Sequence, residues 1–237
     1  MAMKSKILSI FLLSSLFFSS KIIAAEKDIY EFSWLDPDKE VYVLQNRKFR
    51  KAERLYVNAG AGITTSGAFV DSTSIQGRAG LFLTEGFGIE GIFAKNSGKE
   101  NSAAVAVRSQ NGGSARPFRR IVDNYWGAMA TWSPFYSKTN TFNSIIYMDW
   151  IFGVGYAQLN ETNNKLDFVN DTSLEGIPTK ESHSGLIWEA GLMFYLNQNF
   201  TLRTDLTAIH YSAANVKSAG SSIKSNYDAT VSLGFTF

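Results

Sequence analysis

The chain has no cysteine in 237 residues, only two histidines and only four prolines. Without a thiol there is no disulfide framework, no lipid acylated onto cysteine and no thiolate metal centre. Two histidines leave little ligand supply for a transition metal, so neither a metal nor any other cofactor is expected. A net charge of +2 is close to balance and argues against nucleic acid or another polyanion as partner. Long apolar runs are also missing. After residue 18 nothing approaches the roughly 18 residues a membrane helix needs, and mean hydropathy is −0.09.

The one apolar run, Ile7 to Phe18, follows Lys4 and Lys6 and precedes Ile23-Ala24-Ala25. A basic start, a short apolar core and small residues before Glu26 make a secretory signal over residues 1–25. Residues 26–54 then form a charged arm that ends in Arg47-Lys-Phe-Arg-Lys51. The run is expected to be solvated in the periplasm or to touch anionic headgroups or cell-wall polymer.

From residue 55 to 237 the pattern has period two. Eight segments alternate apolar and polar residues: about 55–63, 74–83, 87–93, 124–132, 145–156, 186–194, 200–208 and 227–237. Such alternation means strands with one apolar and one polar face. Pro37, Pro117, Pro134 and Pro178 all fall outside them, as ladder hydrogen bonding requires. About ten residues suffice for a tilted strand to cross a bilayer. Short turns at Thr84-Glu-Gly86 and Asn197-Gln-Asn199 alternate with long connections, the arrangement of a transmembrane barrel with both termini periplasmic. Ser133–Asn143 is long for a turn on the short-turn side. The rings of Phe87, Trp132, Phe194, Phe200, Phe235 and Phe237 would form one girdle, and those of Phe93, Trp126, Tyr156 and Tyr227 the other.

A soluble lipocalin-like barrel would alternate with its apolar face inward. The polar face here is too poor in charge for a solvated surface and too rich in glycine, which suits a crowded lumen. Its charges are Arg78, Glu90, Asp149, Glu189, Arg203, Asp205 and Asp228. An eight-stranded lumen is only wide enough for side chains to fill, so these groups must pair. They form either a structural plug or an ion path gated by Arg78 and Arg203. No arrangement of catalytic residues emerges: His183, with Asp167 and Asp171, reads as part of a solvated loop, and His210 lies near a strand end. Arg108, Arg116, Arg119 and Arg120 in the second long connection would reach lipopolysaccharide phosphates.

Asp36–Arg47, Ser74–Gly80, the turn Trp132–Lys138 (with Ser137 in place of a glycine) and Phe142–Trp150 carry a resemblance. The chain resembles the outer-membrane β-barrel domain family common in deltaproteobacteria, distantly similar to OmpA-like and OmpX-like small barrels. The ending, with Tyr227, Phe235 and Phe237 on one face, resembles the signal read by the barrel-assembly machinery. These likenesses imply an all-β, eight-stranded antiparallel up-and-down barrel in the bacterial outer membrane, in contact with lipid and lipopolysaccharide, and carry no chemistry. The expected role is non-enzymatic: a plugged polar lumen with long extracellular loops that support envelope integrity or surface contact. The alternative is a narrow pore or transporter for ions or small hydrophobic molecules.

Overall fold

A computed structural model describes residues 47–65, 67–110, 117–141, 144–168, 176–216 and 220–237. The expected signal, residues 1–25, and residues 26–46 of the expected arm lie outside the described residues. Among the described residues nine strands form: β1 (Arg54–Thr65), β2 (Val70–Phe82), β3 (Phe87–Glu100), β4 (Arg120–Trp132), β5 (Tyr136–Thr141), β6 (Ser144–Asn163), β7 (Thr179–Tyr195), β8 (Phe200–Ala214) and β9 (Ser221–Thr236). Each pairs antiparallel with its sequence neighbour except at two places. β1 pairs β9, and β4 passes over β5 to pair β6, with Trp132 opposite Phe152. The result is a closed eight-stranded barrel, and β5 is a flap that pairs with the first residues of β6 and takes the Lys48 amide on its Tyr136 hydroxyl.

That flap is why Ser133–Asn143 is too long for a turn: Tyr136–Thr141 folds back on Ser144–Asp149 as a hairpin beyond the barrel rim. At the same end the two tight connections are closed by side chains. Thr84 Oγ1 accepts from the Gly86 and Phe87 amides, and Asn197 Oδ1 accepts from those of Asn199 and Phe200. Short polar side chains that bond their own backbone two or three residues on are turn formers for this reason. We call this the turn end and the opposite one the loop end.

The strands are longer than the alternation suggests. β6 has 20 residues, about 66 Å at ~3.3 Å per residue, well over what a bilayer requires. β3, β6 and β7 therefore stand beyond the membrane at the loop end, and much of the expected second and third loops is sheet. The β3–β4 connection also contains a helix, α1 (Ser102–Gln110), capped by Asn101 Oδ1, which accepts from the Ala104 amide at 3.0 Å.

Side chains sort by parity as the pattern requires. Ile75, Phe93, Trp126, Val154, Leu206 and Leu233 are among the many large apolar residues exposed on the outer wall. A contiguous apolar belt of this size would be an aggregation surface in water, whereas lipid satisfies it. Closure removes free strand edges, as hydrocarbon demands. The chain is a β-barrel of the bacterial outer membrane.

The interior is not uniformly polar, contrary to expectation. Ile92, Val122, Met129, Leu159, Ile187 and Ile209 pack inward on the wall of β3, β4, β6, β7 and β8. The polar groups occupy the middle of the lumen and its two ends. An apolar layer inside a small barrel needs no hydrogen-bond partners, so it is a low-cost filling for the loop-ward half.

Candidate functional site

Five of the seven inward charges come from four strands and meet in one buried cluster. Arg78 on β2 reaches Glu90 Oε1 on β3 at 2.8 Å and contacts the Glu189 carboxylate on β7. Arg203 on β8 lies 2.5 Å from Glu90 Oε2, 2.8 Å from Glu189 Oε1 and 2.7 Å from Asp205 Oδ1. Tyr56 donates to Glu90 Oε2 at 2.6 Å, while Arg78 also donates to Thr207 Oγ1 at 2.8 Å. Two guanidinium groups thus face three carboxylates, all of them shielded from solvent. A planar fork with five donors can bridge several acids at once, which an ammonium could not do.

Glycines make the space. A Cβ on Gly153 would stand 2.7 Å from Glu189 Cγ, and one on Gly191 would collide with Asp205 Oδ1. Both glycines lie on inward positions opposite the residue they accommodate, since Gly153 pairs Glu189 and Gly191 pairs Asp205. The inward glycine bias is therefore linked directly to the ionic cluster.

The remaining two charges sit apart from that cluster. Asp228 accepts from Tyr125 at 2.6 Å and from Gln76 and Asn226, one layer nearer the loop end. Asp149 lies at the turn end, 2.6 Å from Lys51 Nζ, and also accepts from the Tyr195 hydroxyl. Lys51 is 2 % exposed, donates to Ser133 Oγ at 2.6 Å and stands over the Phe82 ring. Burial pushes its ammonium below the ordinary lysine value, against the Asp149 carboxylate that raises it.

This corrects the reading of Arg47–Lys51 as a solvated or headgroup-seeking run at Phe49 and Lys51, while Lys48 and Arg50 are exposed. Phe49 is buried, stacked on Tyr195 at 4.7 Å, and Arg47 pairs with Glu85 in the first tight turn. The end of the arm folds in as a stopper. Nothing in the residue pattern distinguishes this use from a solvated basic stretch.

One of the loop-end arginines is withdrawn from the surface. Arg120 is buried, with Nε 2.9 Å from Glu161 Oε1. Arg108 and Arg119 both contact Glu100 at the end of β3. Arg116 and Asp171 lie outside the described residues. His183 is in β7 and not in a loop; its ring stacks on Tyr211 at 5.3 Å. Asp167 accepts from the Gly176 amide and the Asn164 side chain. His210 is on the outer wall, where Trp188 Nε1 donates to its Nε2 at 2.9 Å.

Four tyrosines were missing from the expected site: Tyr56, Tyr125, Tyr195 and Tyr211. Each donates its hydroxyl to a buried carboxylate, to Glu90, Asp228, Asp149 and Glu161 in turn. Strand parity could have found Tyr56 and Tyr125, because both occupy inward positions of recognised segments. The outward aromatics of the last strand gather at the turn end, with Phe235 edge-on to Phe200 at 5.1 Å and to Phe237 at 5.0 Å. Tyr227 lies outward at the other girdle, edge-on to His210 at 6.1 Å.

No protein-family model matches the chain, and no curated protein matches it. Among solved structures it is similar to the N-terminal β-barrel domain of Pseudomonas aeruginosa OprF: 16 % identity, 78 % of this chain and 98 % of that one, TM-score 0.46. It is also similar to Neisserial surface protein A, with 12 % identity, 77 % and 97 % coverage and a TM-score of 0.47. For Ail, the attachment invasion locus protein of Yersinia pestis, identity is 13 %, coverage 78 % and 99 %, and the TM-score 0.39. The assignment to outer-membrane barrels rests on this chain's own strand pairing and apolar belt.

Proposed function

We propose that the protein is a non-enzymatic, plugged outer-membrane barrel that supports envelope integrity or surface contact through its loop end. The turn end and both chain ends then face the periplasm, and the loop end faces outward. The supporting observation is the solvent-shielded cluster of Arg78, Glu90, Glu189, Arg203 and Asp205 across the middle of the lumen, backed by the Lys51–Asp149 stopper. A water column cannot share that cross-section with paired side chains. Lipid and lipopolysaccharide surround the belt. The outward rings Tyr227, Phe235 and Phe237 serve the barrel-assembly machinery, and the part of the arm before Arg47 is the portion left to meet cell-wall polymer. Kinship with the deltaproteobacterial barrel family belongs to this reading too; Asp36–Asn46, which carries part of that resemblance, lies outside the described residues.

Planar-bilayer recording tests the plug. Wild-type protein should give small, rare openings. Arg78→Ala removes bulk and leaves Glu90 and Glu189 short of a partner, so water should enter and conductance should rise with cation preference. Large steady wild-type currents would replace this reading with a narrow pore. Deleting the rings separately, as Phe235→Asp with Phe237→Asp, should lower outer-membrane levels; unchanged levels would remove the assembly role.

A further inference from the structure

At the loop end β6 and β7 continue past the belt as a paired ribbon, with Glu161 in register opposite Glu181. Alternate residues of a strand share a face, so Glu181 and His183 lie side by side on β7. Glu161 is fully buried, and the side chains of Glu181 and His183 are 18 % and 15 % exposed. His183 Nε2 is 3.4 Å from Glu161 Oε1 and 3.6 Å from Glu181 Oε2. This nitrogen is shut off from solvent and has no hydrogen-bond partner among the described residues. One donor atom from each residue falls within 4.8 Å of the others.

Those spacings fit the edge of a coordination tetrahedron. A metal ion about 2.1 Å from nitrogen and from oxygen holds its ligands about 3.4 Å apart. We propose that Glu161, Glu181 and His183 bind one divalent transition-metal ion, Zn²⁺ by ligand preference, at the loop-end mouth of the barrel. Three protein ligands leave a fourth position for water.

The surroundings orient the donors. Tyr211 donates to Glu161 Oε2 at 2.9 Å, while Oε1 lies towards His183 and is shared with Arg120 Nε at 2.9 Å; the same tyrosine ring stacks on the imidazole. Lys165 contacts Glu181 through Oε1, so Oε2 faces the ion position. Asn163 Nδ2 now bridges the two oxygens the ion would join, at 3.1 Å to Glu161 Oε1 and 3.3 Å to Glu181 Oε2. The ion takes the place of that amide. Arg120 and Lys165 already balance both carboxylates, so the site is weaker than a structural zinc centre and suits exchangeable binding. All three ligands fall between the segments 145–156 and 186–194, in a stretch that reads as loop from sequence, which is why so histidine-poor a chain gave no hint of it.

Zn²⁺ titration by calorimetry and Co²⁺ titration by visible absorption, on the mature chain folded in detergent, test the proposal. One ion per barrel and tetrahedral Co²⁺ bands are expected. His183→Ala and Glu181→Gln should each weaken binding at least tenfold, whereas His210→Ala on the outer wall should not. Lys165→Met removes a competing cation and should tighten it. Heat-dependent gel mobility reports whether each variant remains a barrel, and the partly exposed Glu181 makes its variant the milder one. Absence of binding at millimolar Zn²⁺ would overturn the site, as would wild-type affinity in folded Glu181→Gln or His183→Ala, or loss through His210→Ala.

Discussion

Replacing Arg203 by methionine, which keeps much of its length but not its charge, should be among the costliest single changes in the barrel. Arg203 is completely buried and touches three carboxylates, Glu90, Glu189 and Asp205. After the change Glu90 keeps Arg78 and Tyr56, and Glu189 keeps Arg78. Asp205 keeps only a 4.0 Å approach to Arg78 Nε. Removing one partner of a buried pair costs about 3–5 kcal/mol, because the other charge is left without compensation. At 1.4 kcal/mol per tenfold, that lowers the folding equilibrium by about two to four orders of magnitude. The assay is reversible urea unfolding in lipid vesicles, followed by tryptophan fluorescence and by gel mobility. Tyr56→Phe, which removes one hydrogen bond to a charged group, should cost about 1.5–3 kcal/mol and so rank below it. Adding Asp205→Asn to Arg203→Met should recover part of the loss, since the residue left most exposed to desolvation is then neutral. A loss under about 1 kcal/mol, or no recovery in the double variant, would show that the cluster is solvated and that the packing argument is wrong.

Lipid contact predicts unequal tolerance of charge on the outer wall: Ala190→Arg near mid-membrane should cost about 2–4 kcal/mol, and Gln158→Arg, beyond the Tyr156 ring, about 0–1 kcal/mol, both read by the same unfolding assay. Gly191→Ala would drive a methyl group into Asp205 and Thr204, and should cost about 1–3 kcal/mol despite adding a single carbon. Lys51→Met leaves Asp149 with the Tyr195 hydroxyl and, among the described residues, no cation, so the turn-end stopper should loosen, seen as faster proteolysis near residue 51 in the folded barrel. The unboiled protein should migrate differently from the boiled one on a denaturing gel; identical migration would count against a closed barrel.

Period-two alternation determined the class of fold, the number of crossings and the face each residue takes, because a strand has only two faces and lipid does not tolerate charge on the belt without cost. For that reason Arg78, Glu90, Glu189, Arg203 and Asp205 were legible as inward groups. That they must pair in so narrow a lumen was legible too; which partner each takes was not, since it depends on register between four strands, and register is a property of the closed sheet. The apolar wall behind Ile92 and Ile187 was hidden because an apolar residue at an inward position simply blurs the alternation. Lys51, Phe49 and the mouth residues Glu161, Glu181 and His183 lay beyond the recognised segments, where the local pattern is polar on both faces. Only the tertiary structure, by folding the arm into one end and extending β6 and β7 at the other, gives those residues partners.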